Sequence, residues 1–302
     1  MQIAVTGATG FLGRHLVERL AGGGPQIHGW CRPSSDRSGF DLPDGSIEWF
    51  EGSLREPGSE QPLVAGCEAV VHAALDRPGT GFRGAEGDLV EFATVNVIGT
   101  LRLIEAARAA GVRRFLFISS CAVHEKILPD RPLDETHPTW AMSHYGAHKA
   151  AIEQFVNSYG LGKGDEIAAL RPCGIYGIDR PVEESKWFEL VQKVVRGETV
   201  ECRRGGKEVH AADVAKAADL LLNAPAESIR GQAFNCCERY ISEYEVASLA
   251  RQISGSDATI HGEPTQARNQ IDTRKLQDLG LKFGGDQQLR DTIGELVTSV
   301  NG

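Results

Sequence analysis

Apolar residues follow two alternating patterns along this chain. Short apolar-rich runs, Ile3–Val5, Ile27–Trp30, Ile47–Phe50, Ala69–Ala74 and Phe115–Ile118, are bounded by Gly, Pro or polar residues. Such runs predict strands buried on both faces. Between them, apolar residues recur at helical spacing. Leu12, Leu16, Val17 and Leu20 share one face directly after the first run. Leu89, Phe92, Val95, Leu103 and Ala106 predict an unbroken helix over 88–110, with polar Asn96 inside it and Gly111 ending it. A third helical pattern opens at Ser143 and carries Ile152 and Phe155. This alternation predicts an α/β fold, a doubly wound parallel sheet with right-handed crossovers. Beyond about residue 172 the regularity loosens. Trp187–Val195, Asp213–Leu222, Glu243–Ile253 and Gln287–Val300 predict helices, and Phe234–Cys236 and Thr259–His261 predict short strands.

The first strand and helix are joined by Gly7, Gly10 and Gly13, at intervals of three. Strand, three in-phase glycines and helix together predict a dinucleotide site of the Rossmann type over an ordinary glycine-rich βα turn. One glycine forms the turn, one lets backbone approach a pyrophosphate, and one lets the helix pack on the strand. The helix N-terminus supplies free N–H groups and partial positive charge. An NAD site usually places a carboxylate at the end of the second strand. Here that strand ends in Cys31-Arg32-Pro33-Ser34-Ser35, and the first Asp is Asp36. A cation suits a 2′-phosphate, so Arg32 leans the reading toward NADP over NAD; a solvated strand-end Arg is the alternative. The small residues ending the fourth strand, at Ala73 and Ala74, let a flat ligand lie close. His72 sits inside that apolar strand and reads as a core histidine. Residues 76–87 read as a Gly- and Arg-rich loop.

The fifth strand delivers Ser119-Ser120 to the edge that carries the glycine turn. Tyr145 and Lys149 follow four residues apart, on one helix face. Moving a tyrosine pKa from about 10 to near 7 takes about 4 kcal/mol of differential interaction. A close ammonium in a partly dry site, helped by an oxidised nicotinamide, supplies that kind of stabilisation. A serine hydroxyl would hold the substrate oxygen. Tyr-x-x-x-Lys alone is common on helix surfaces; the upstream glycine turn and the strand-end serines make it specific.

At 302 residues the chain can bury a large core, and Lys+Arg 32 against Asp+Glu 41 leaves a net charge of −9. That balance argues against a nucleic-acid partner. No apolar run reaches membrane-spanning length, and a strand starting at Gln2 leaves no room for a signal peptide. The seven cysteines show no Cys-x-x-Cys spacing, and Cys236 and Cys237 are adjacent. Free thiols in a reducing cytoplasm are expected, with no metal site.

These pieces resemble the extended short-chain dehydrogenase/reductases, the group of NAD-dependent, nucleotide-sugar epimerases and dehydratases. The resemblance rests on Thr6–Gly13, His72-Ala73-Ala74, Asn96–Thr100, Ser119-Ser120, Tyr145–Lys149, Leu170-Arg171-Pro172, Val209–Ala215 and Asp272–Leu281. It implies a dinucleotide-binding Rossmann domain over residues 1–171. A smaller mixed α/β substrate lobe covers 172–302, with some segments returning to the main domain. The substrate would lie in the cleft between them, where Trp187, Phe188 and Arg180 are candidate lining residues or simply lobe core and surface. By resemblance Tyr145 is the acid/base, Lys149 lowers its pKa and bonds the nicotinamide ribose, and Ser120 orients the substrate. Phe11 and Leu12 offer N–H groups to the pyrophosphate, and Arg32, Ser53, Leu54, Ala73, Ala74 and Arg77 line the cofactor. A homodimer through the 88–110 helix and the Tyr-bearing helix is implied as well.

The departures narrow the chemistry. Cys121-Ala122 stand where the sugar dehydratases place an Asp-Glu pair, so dehydratase is rejected. Val123-His124-Glu125 replaces a Val-Tyr-Gly, with His124 either a site residue or a structural substitution. Gly174 replaces an Asn that helps hold a nucleotide-sugar. The phosphate-binding Arg before the Val209–Ala215 segment is missing; Gly206-Lys207-Glu208 occupies the region, with Arg203-Arg204 upstream. Either those cations hold the phosphate or the substrate has no nucleotide. The expected function is an NAD(P)-dependent oxidoreductase or epimerase acting on a hydroxyl/carbonyl carbon of a small-molecule sugar or nucleotide-sugar. The alternatives are an NADPH-dependent carbonyl reductase on a non-nucleotide substrate and a non-catalytic dinucleotide-sensing module.

Overall fold

Each apolar-rich run forms a strand in the computed structural model, which describes residues 1–78, 84 and 86–301. The strands are β1 (Gln2–Thr6), β2 (Gln26–Cys31), β3 (Ile47–Glu51), β4 (Ala69–His72), β5 (Arg114–Ile118), β6 (Glu166–Pro172), β7 (Gly174–Tyr176), β8 (Val200–Cys202), β9 (Gly205–His210), β10 (Gln232–Cys236), β11 (Arg239–Ser242) and β12 (Ile260–Gly262). The helices are α1 (Phe11–Ala21), α2 (Glu60–Val64), α3 (Leu89–Ala93), α4 (Gly99–Ala109), α5 (His144–Asn157), α6 (Phe188–Val195), α7 (Ala211–Asn223), α8 (Ala226–Ile229), α9 (Glu243–Ser254), α10 (Arg274–Asp278) and α11 (Gly285–Asn301).

The chain forms two units. The first comprises Met1–Pro172, Val214–Cys236 and Asp272–Leu281. It is built on a seven-stranded sheet in the order β10-β6-β5-β4-β1-β2-β3, with every pair parallel. Ile3, Ala4, Val5, Val70 and Val71 are fully buried, as central strands of a parallel sheet require. The second unit comprises Cys173–Asp213, Cys237–Ile271 and the residues from Lys282 on. It holds a three-stranded sheet, β11-β9-β7, a two-stranded sheet, β12-β8, and a core that includes Phe188, Val191, Val246, Leu289 and Ile293. β10, short and far along the chain, is an edge strand of the main sheet.

The order of the main sheet reverses between β1 and β4, the point where doubly wound sheets bind ligands. The glycine turn sits there. Gly7 has φ +69°, and a Cβ on it would lie 2.9 Å from the Ala74 amide nitrogen. A Cβ on Gly13 would lie 1.9 Å from the Gly7 carbonyl oxygen, so α1 can pack on the turn only without a side chain at that position. Behind the turn runs a hydrogen-bonded chain. The Thr6 hydroxyl accepts from the Ala73 and Ala74 amides, both at 3.1 Å, and meets His72 Nδ1 at 2.7 Å. His72 Nε2 reaches Thr100 Oγ1 at 2.8 Å, and that hydroxyl donates to the Asn96 carbonyl at 2.6 Å. Burial pushes His72 down to about 3, so it is a neutral core histidine satisfied at both nitrogens.

Two local expectations change. The helix over 88–110 is divided: α3 ends at Ala93, Thr94–Ile98 forms a π-helical segment, and α4 follows. Asn96 lies in that segment and faces inward. It donates to the Asp76 and Phe92 carbonyls at 2.8 and 3.0 Å and accepts from the Asp76 amide at 2.8 Å. Wound this way, the segment ties the strand-end loop to the helix. In that loop, residues 79–83 and 85 lie outside the described residues. Trp187 precedes α6 as a left-handed residue at φ 70° instead of opening the helix.

The two helix-side glycines separate packing from ligand approach. A Cβ on Gly10 would meet its nearest atom at an ordinary 3.4 Å. Gly13→Ala is therefore expected to lose about 1–3 kcal/mol of stability through overpacking, while Gly10→Ala melts near the wild type. Thermal denaturation of both variants checks this, and equal melting temperatures would contradict the close approach at Gly13.

Candidate active site

The turn is open to an anion. Gly10 caps α1 in an extended conformation with no side-chain cap, and no acid stands in the first helical turn. The N–H groups of Phe11, Leu12 and Gly13 lack helical carbonyl partners and lie at the positive end of the helix. These residues and the absence of room for Cβ atoms at Gly7 and Gly13 fit a dinucleotide pyrophosphate. Leu54 is buried in the core, and its carbonyl accepts from Arg102. Ser53, half-buried beside it, accepts at its carbonyl from the Glu56 amide at 3.0 Å. Arg32 is exposed, and its amide donates to Ser35 Oγ at 3.1 Å.

The helix bearing Tyr145 is held at its start. Ser143 Oγ accepts from the Gly146 amide at 3.0 Å and donates to Glu125 Oε1 at 2.9 Å. Glu125 Oε2 accepts from the Met142 and Ser143 amides at 2.5 and 2.6 Å. The Tyr145 amide donates to buried Glu86 at 3.2 Å. A Cβ on Gly146 would lie 2.5 Å from the Ala122 carbonyl oxygen. That close approach seats α5 against the 3₁₀ turn Cys121–His124, whose N-cap is Ser120. Ser120 Oγ accepts from the Ala122 amide at 3.1 Å.

Lys149 is 4% exposed. Its Nζ donates to the Ile118 carbonyl at 2.8 Å and lies 4.6 Å from the Phe117 ring centre and 5.9 Å from that of Tyr145. Burial pushes the amine down to about 7, against the pull of Glu153. Arg77, half-buried, interacts electrostatically with the Tyr145 phenol, while burial lowers its own pKa. The ring of His148 packs 5.3 Å from Tyr145 and 5.0 Å from Phe92; burial pushes it to about 3, so it is neutral.

A buried network underlies these groups. Glu153 accepts from Arg171 twice, at 2.9 and 2.6 Å, and from Ser119 Oγ at 2.5 Å. Arg171 Nη1 donates to His124 Nε2 at 3.0 Å, and His124 Nδ1 meets the Pro138 carbonyl at 3.2 Å. Burial, aided by Arg171, pushes His124 down to about 4. His124 is a neutral structural histidine. The Cys121 thiol donates to the Arg171 carbonyl at 3.0 Å, and no carboxylate stands at Cys121-Ala122. The pairing of Glu153 with Arg171 spans 18 residues and has no local signature; Arg171 stands in the Leu170-Arg171-Pro172 motif, and Glu153 lies one helical turn after Lys149.

In the second unit, Phe188 is core and Trp187 packs 5.2 Å from Tyr176, whereas Arg180 is exposed. A Cβ on Gly174 would lie 2.4 Å from Glu208 Oε2, and one on Gly206 2.2 Å from Oε1. The buried Glu208 carboxylate, ion-paired with Lys186, fills the space between the two glycines. Arg203 pairs with Glu201 at 3.0 Å and Arg204 with Glu243 at 3.4 Å. Among the described residues no cysteine is in a disulfide, no His/Cys/Asp/Glu group could hold a metal and no helix is long and apolar enough to cross a membrane.

The profile of the NAD dependent epimerase/dehydratase family matches residues 3–237. A UDP-glucose 4-epimerase of Rhizobium meliloti (strain 1021) is 34% identical over 191 residues, 62% of this chain and 56% of that protein. A 4-hydroxy-2-methyl-3-oxo-4-farnesyl-3,4-dihydroquinoline-1-oxide ketoreductase of Stigmatella aurantiaca is 30% identical over 181 residues, 59% of this chain and 52% of that protein. The chain thus spans little more than half the length of these curated relatives. The UDP-glucose 4-epimerase of Thermotoga maritima, solved with UDP-glucose, shares the fold at a TM-score of 0.80 and 22% identity over 100% of both chains. With its glycine turn at the reversal of a doubly wound sheet and a family profile matched over most of its length, the chain belongs to the NAD-dependent epimerase/dehydratase family.

Proposed function

We propose that this chain binds NAD or NADP on the glycine turn and acts as an oxidoreductase or epimerase at a hydroxyl/carbonyl carbon of a sugar or nucleotide-sugar. The observation that carries the reading is Lys149: a buried amine on the helix face of Tyr145, anchored to the carbonyl that ends β5, next to Ser120. The nicotinamide, when bound, supplies hydride chemistry at the substrate carbon. Tyr145 takes the proton from the substrate hydroxyl or returns it to the carbonyl oxygen. Lys149 and Arg77 favour the phenolate by charge. Ser120 donates its hydroxyl hydrogen to the same substrate oxygen. Gly7, Gly10, Phe11, Leu12 and Gly13 hold the pyrophosphate, Ala73 and Ala74 give a flat wall, and Ser53 and Leu54 offer backbone. A cation near the end of β2, where Arg32 stands exposed, favours NADP over NAD.

A second reading, an NADPH-dependent carbonyl reductase on a non-nucleotide substrate, is favoured by Glu208. A buried carboxylate stands in the region where relatives that hold a nucleotide phosphate would need a cation, and one matched relative is named as a ketoreductase. Cofactor retained through purification would mark the epimerase branch, and an empty site the reductase.

We also propose a homodimer. Val90 on α3, Ile98 in the π-helical segment after it, Phe155 on α5 and Leu161 in the π-helical segment Ser158–Gly162 that follows α5 are 75%, 48%, 38% and 70% exposed. An open groove of about 660 Å³ runs along α5 past Trp140, Ala147, Ala150 and Ala151. Exposed apolar surface of this kind marks an interaction face.

Two measurements follow from this reading. Across a panel of UDP-sugars and non-nucleotide ketones, Tyr145→Phe is expected to lose about 100-fold or more in turnover while still binding dinucleotide; wild-type turnover by the variant would contradict the acid/base role. A variant retaining full biological activity would instead point to a sensing module. Sedimentation at micromolar concentration is expected to show a dimer, and monomer alone would remove that proposal.

A further inference from the structure

The carboxylate missing from the end of β2 is present one strand away. Cys31 and Glu51 are register partners on β2 and β3, so their side chains leave the same face of the sheet. Arg37, in the loop after β2, donates to Glu51 Oε1 at 2.7 Å. Both charges act on the Cys31 thiol, whose pKa burial raises, Arg37 lowers and Glu51 raises. An acid and a base are thus bonded to each other beside the strand end that, in this fold, reads the adenosine ribose.

The loop that presents Arg37 is braced on both sides. Arg14, buried and next in sequence to Gly13 of the glycine turn, donates to the Asp36 carbonyl at 3.0 Å and to the Ser38 carbonyl at 2.6 Å. Its guanidinium lies 4.7 Å over the Phe40 ring, and Phe40 packs 5.7 Å from Trp49. Trp49 in turn fills the space of a missing side chain at Gly29, where a Cβ would lie 2.6 Å from the indole. Arg37 is the residue between the two carbonyls that Arg14 holds.

We propose that the Arg37–Glu51 pair selects the dinucleotide: Glu51 accepts from the ribose hydroxyls of NAD, and Arg37, released from Glu51, bonds the 2′-phosphate of NADP. The proposal rests on the dinucleotide reading of the glycine turn. It makes Arg32 a neighbour of the selecting pair rather than the selector. Each function competes with the other for the same ion pair, so removing one partner favours the cofactor served by the other. Glu51→Gln frees Arg37 and removes a carboxylate that repels phosphate. Arg37→Met leaves Glu51 to the hydroxyls and removes the phosphate's partner. Both side chains lie on the surface of the first unit, so the fold tolerates the changes.

The test is the dissociation constant of NADH and of NADPH, read by nicotinamide fluorescence, for the wild type, Glu51→Gln, Arg37→Met and Arg32→Ala. The ratio Kd(NADH)/Kd(NADPH) is expected to rise about tenfold or more in Glu51→Gln and to fall about tenfold or more in Arg37→Met, the worth of one charge-assisted bond. Dinucleotide binding with an unchanged ratio in both variants, or a ratio moved by Arg32→Ala alone, overturns the selecting pair and leaves the dinucleotide reading standing. No binding of either dinucleotide by the wild type overturns that reading and the pair with it.

Discussion

Lys149, Glu153 and Arg171 bring two positive charges and one negative into the interior, and the rest of the candidate site is arranged around that imbalance. A buried charge without a partner costs several kcal/mol. Arg171 and Glu153 cancel through a two-point ion pair. Lys149 is left with the Ile118 carbonyl, the faces of Phe117 and Tyr145, and the outer field of Glu153. One more negative charge would complete the set, and the phenol four residues before Lys149 is the group that can supply it. On the proposed reading, a Tyr145 phenolate and a Lys149 ammonium would support each other. The same network fixes where this happens, because Glu153 also holds Ser119 and Arg171 holds His124 beside the Ser120 turn.

The central strands β1, β2, β4 and β5 were legible in the sequence because they are buried on both faces and read as apolar-rich runs; β6 was not, since its apolar run is closed by Glu166 on one side and Arg171-Pro172 on the other. The glycine turn was legible because the packing at Gly7 and Gly13 leaves no room for a side chain. The division of the 88–110 helix was not, since Asn96 is tied there by a reciprocal pair of hydrogen bonds with Asp76, 20 residues away. Gly146 had the look of an ordinary helical residue, yet its contact with Ala122 seats the Tyr-bearing helix. β7 and β8 have three residues each, too short to carry a period, whereas β12, equally short, overlaps the strand expected at Thr259–His261. Tyr145 and Lys149 could be named from spacing and Ser120 from the family resemblance, but the environment that gives Lys149 its lowered pKa is a product of burial.

The departures from the family pattern take on physical form. His124 is a neutral brace for Arg171, and Cys121 bonds backbone, so neither offers an acid that could expel water. Gly174 and Gly206 are linked by Glu208, whose carboxylate takes up the room each side chain would need. These three residues join the two losses, of the Asn and of the Arg, into one structural change. Its consequence is a negative group, neutralised by Lys186, in a region where a nucleotide phosphate would favour a cation.

The most direct test of the account is the titration of Tyr145 itself. Protein labelled with ¹³Cζ-tyrosine and saturated with oxidised dinucleotide would be followed by NMR against pH, with the Tyr145 signal assigned through Tyr145→Phe. The account predicts that Tyr145 ionises well below the ordinary value of about 10 in the wild type and returns toward it in Lys149→Met. A Tyr145 that titrates near 10 in both proteins would contradict the claim that the buried lysine serves the tyrosine.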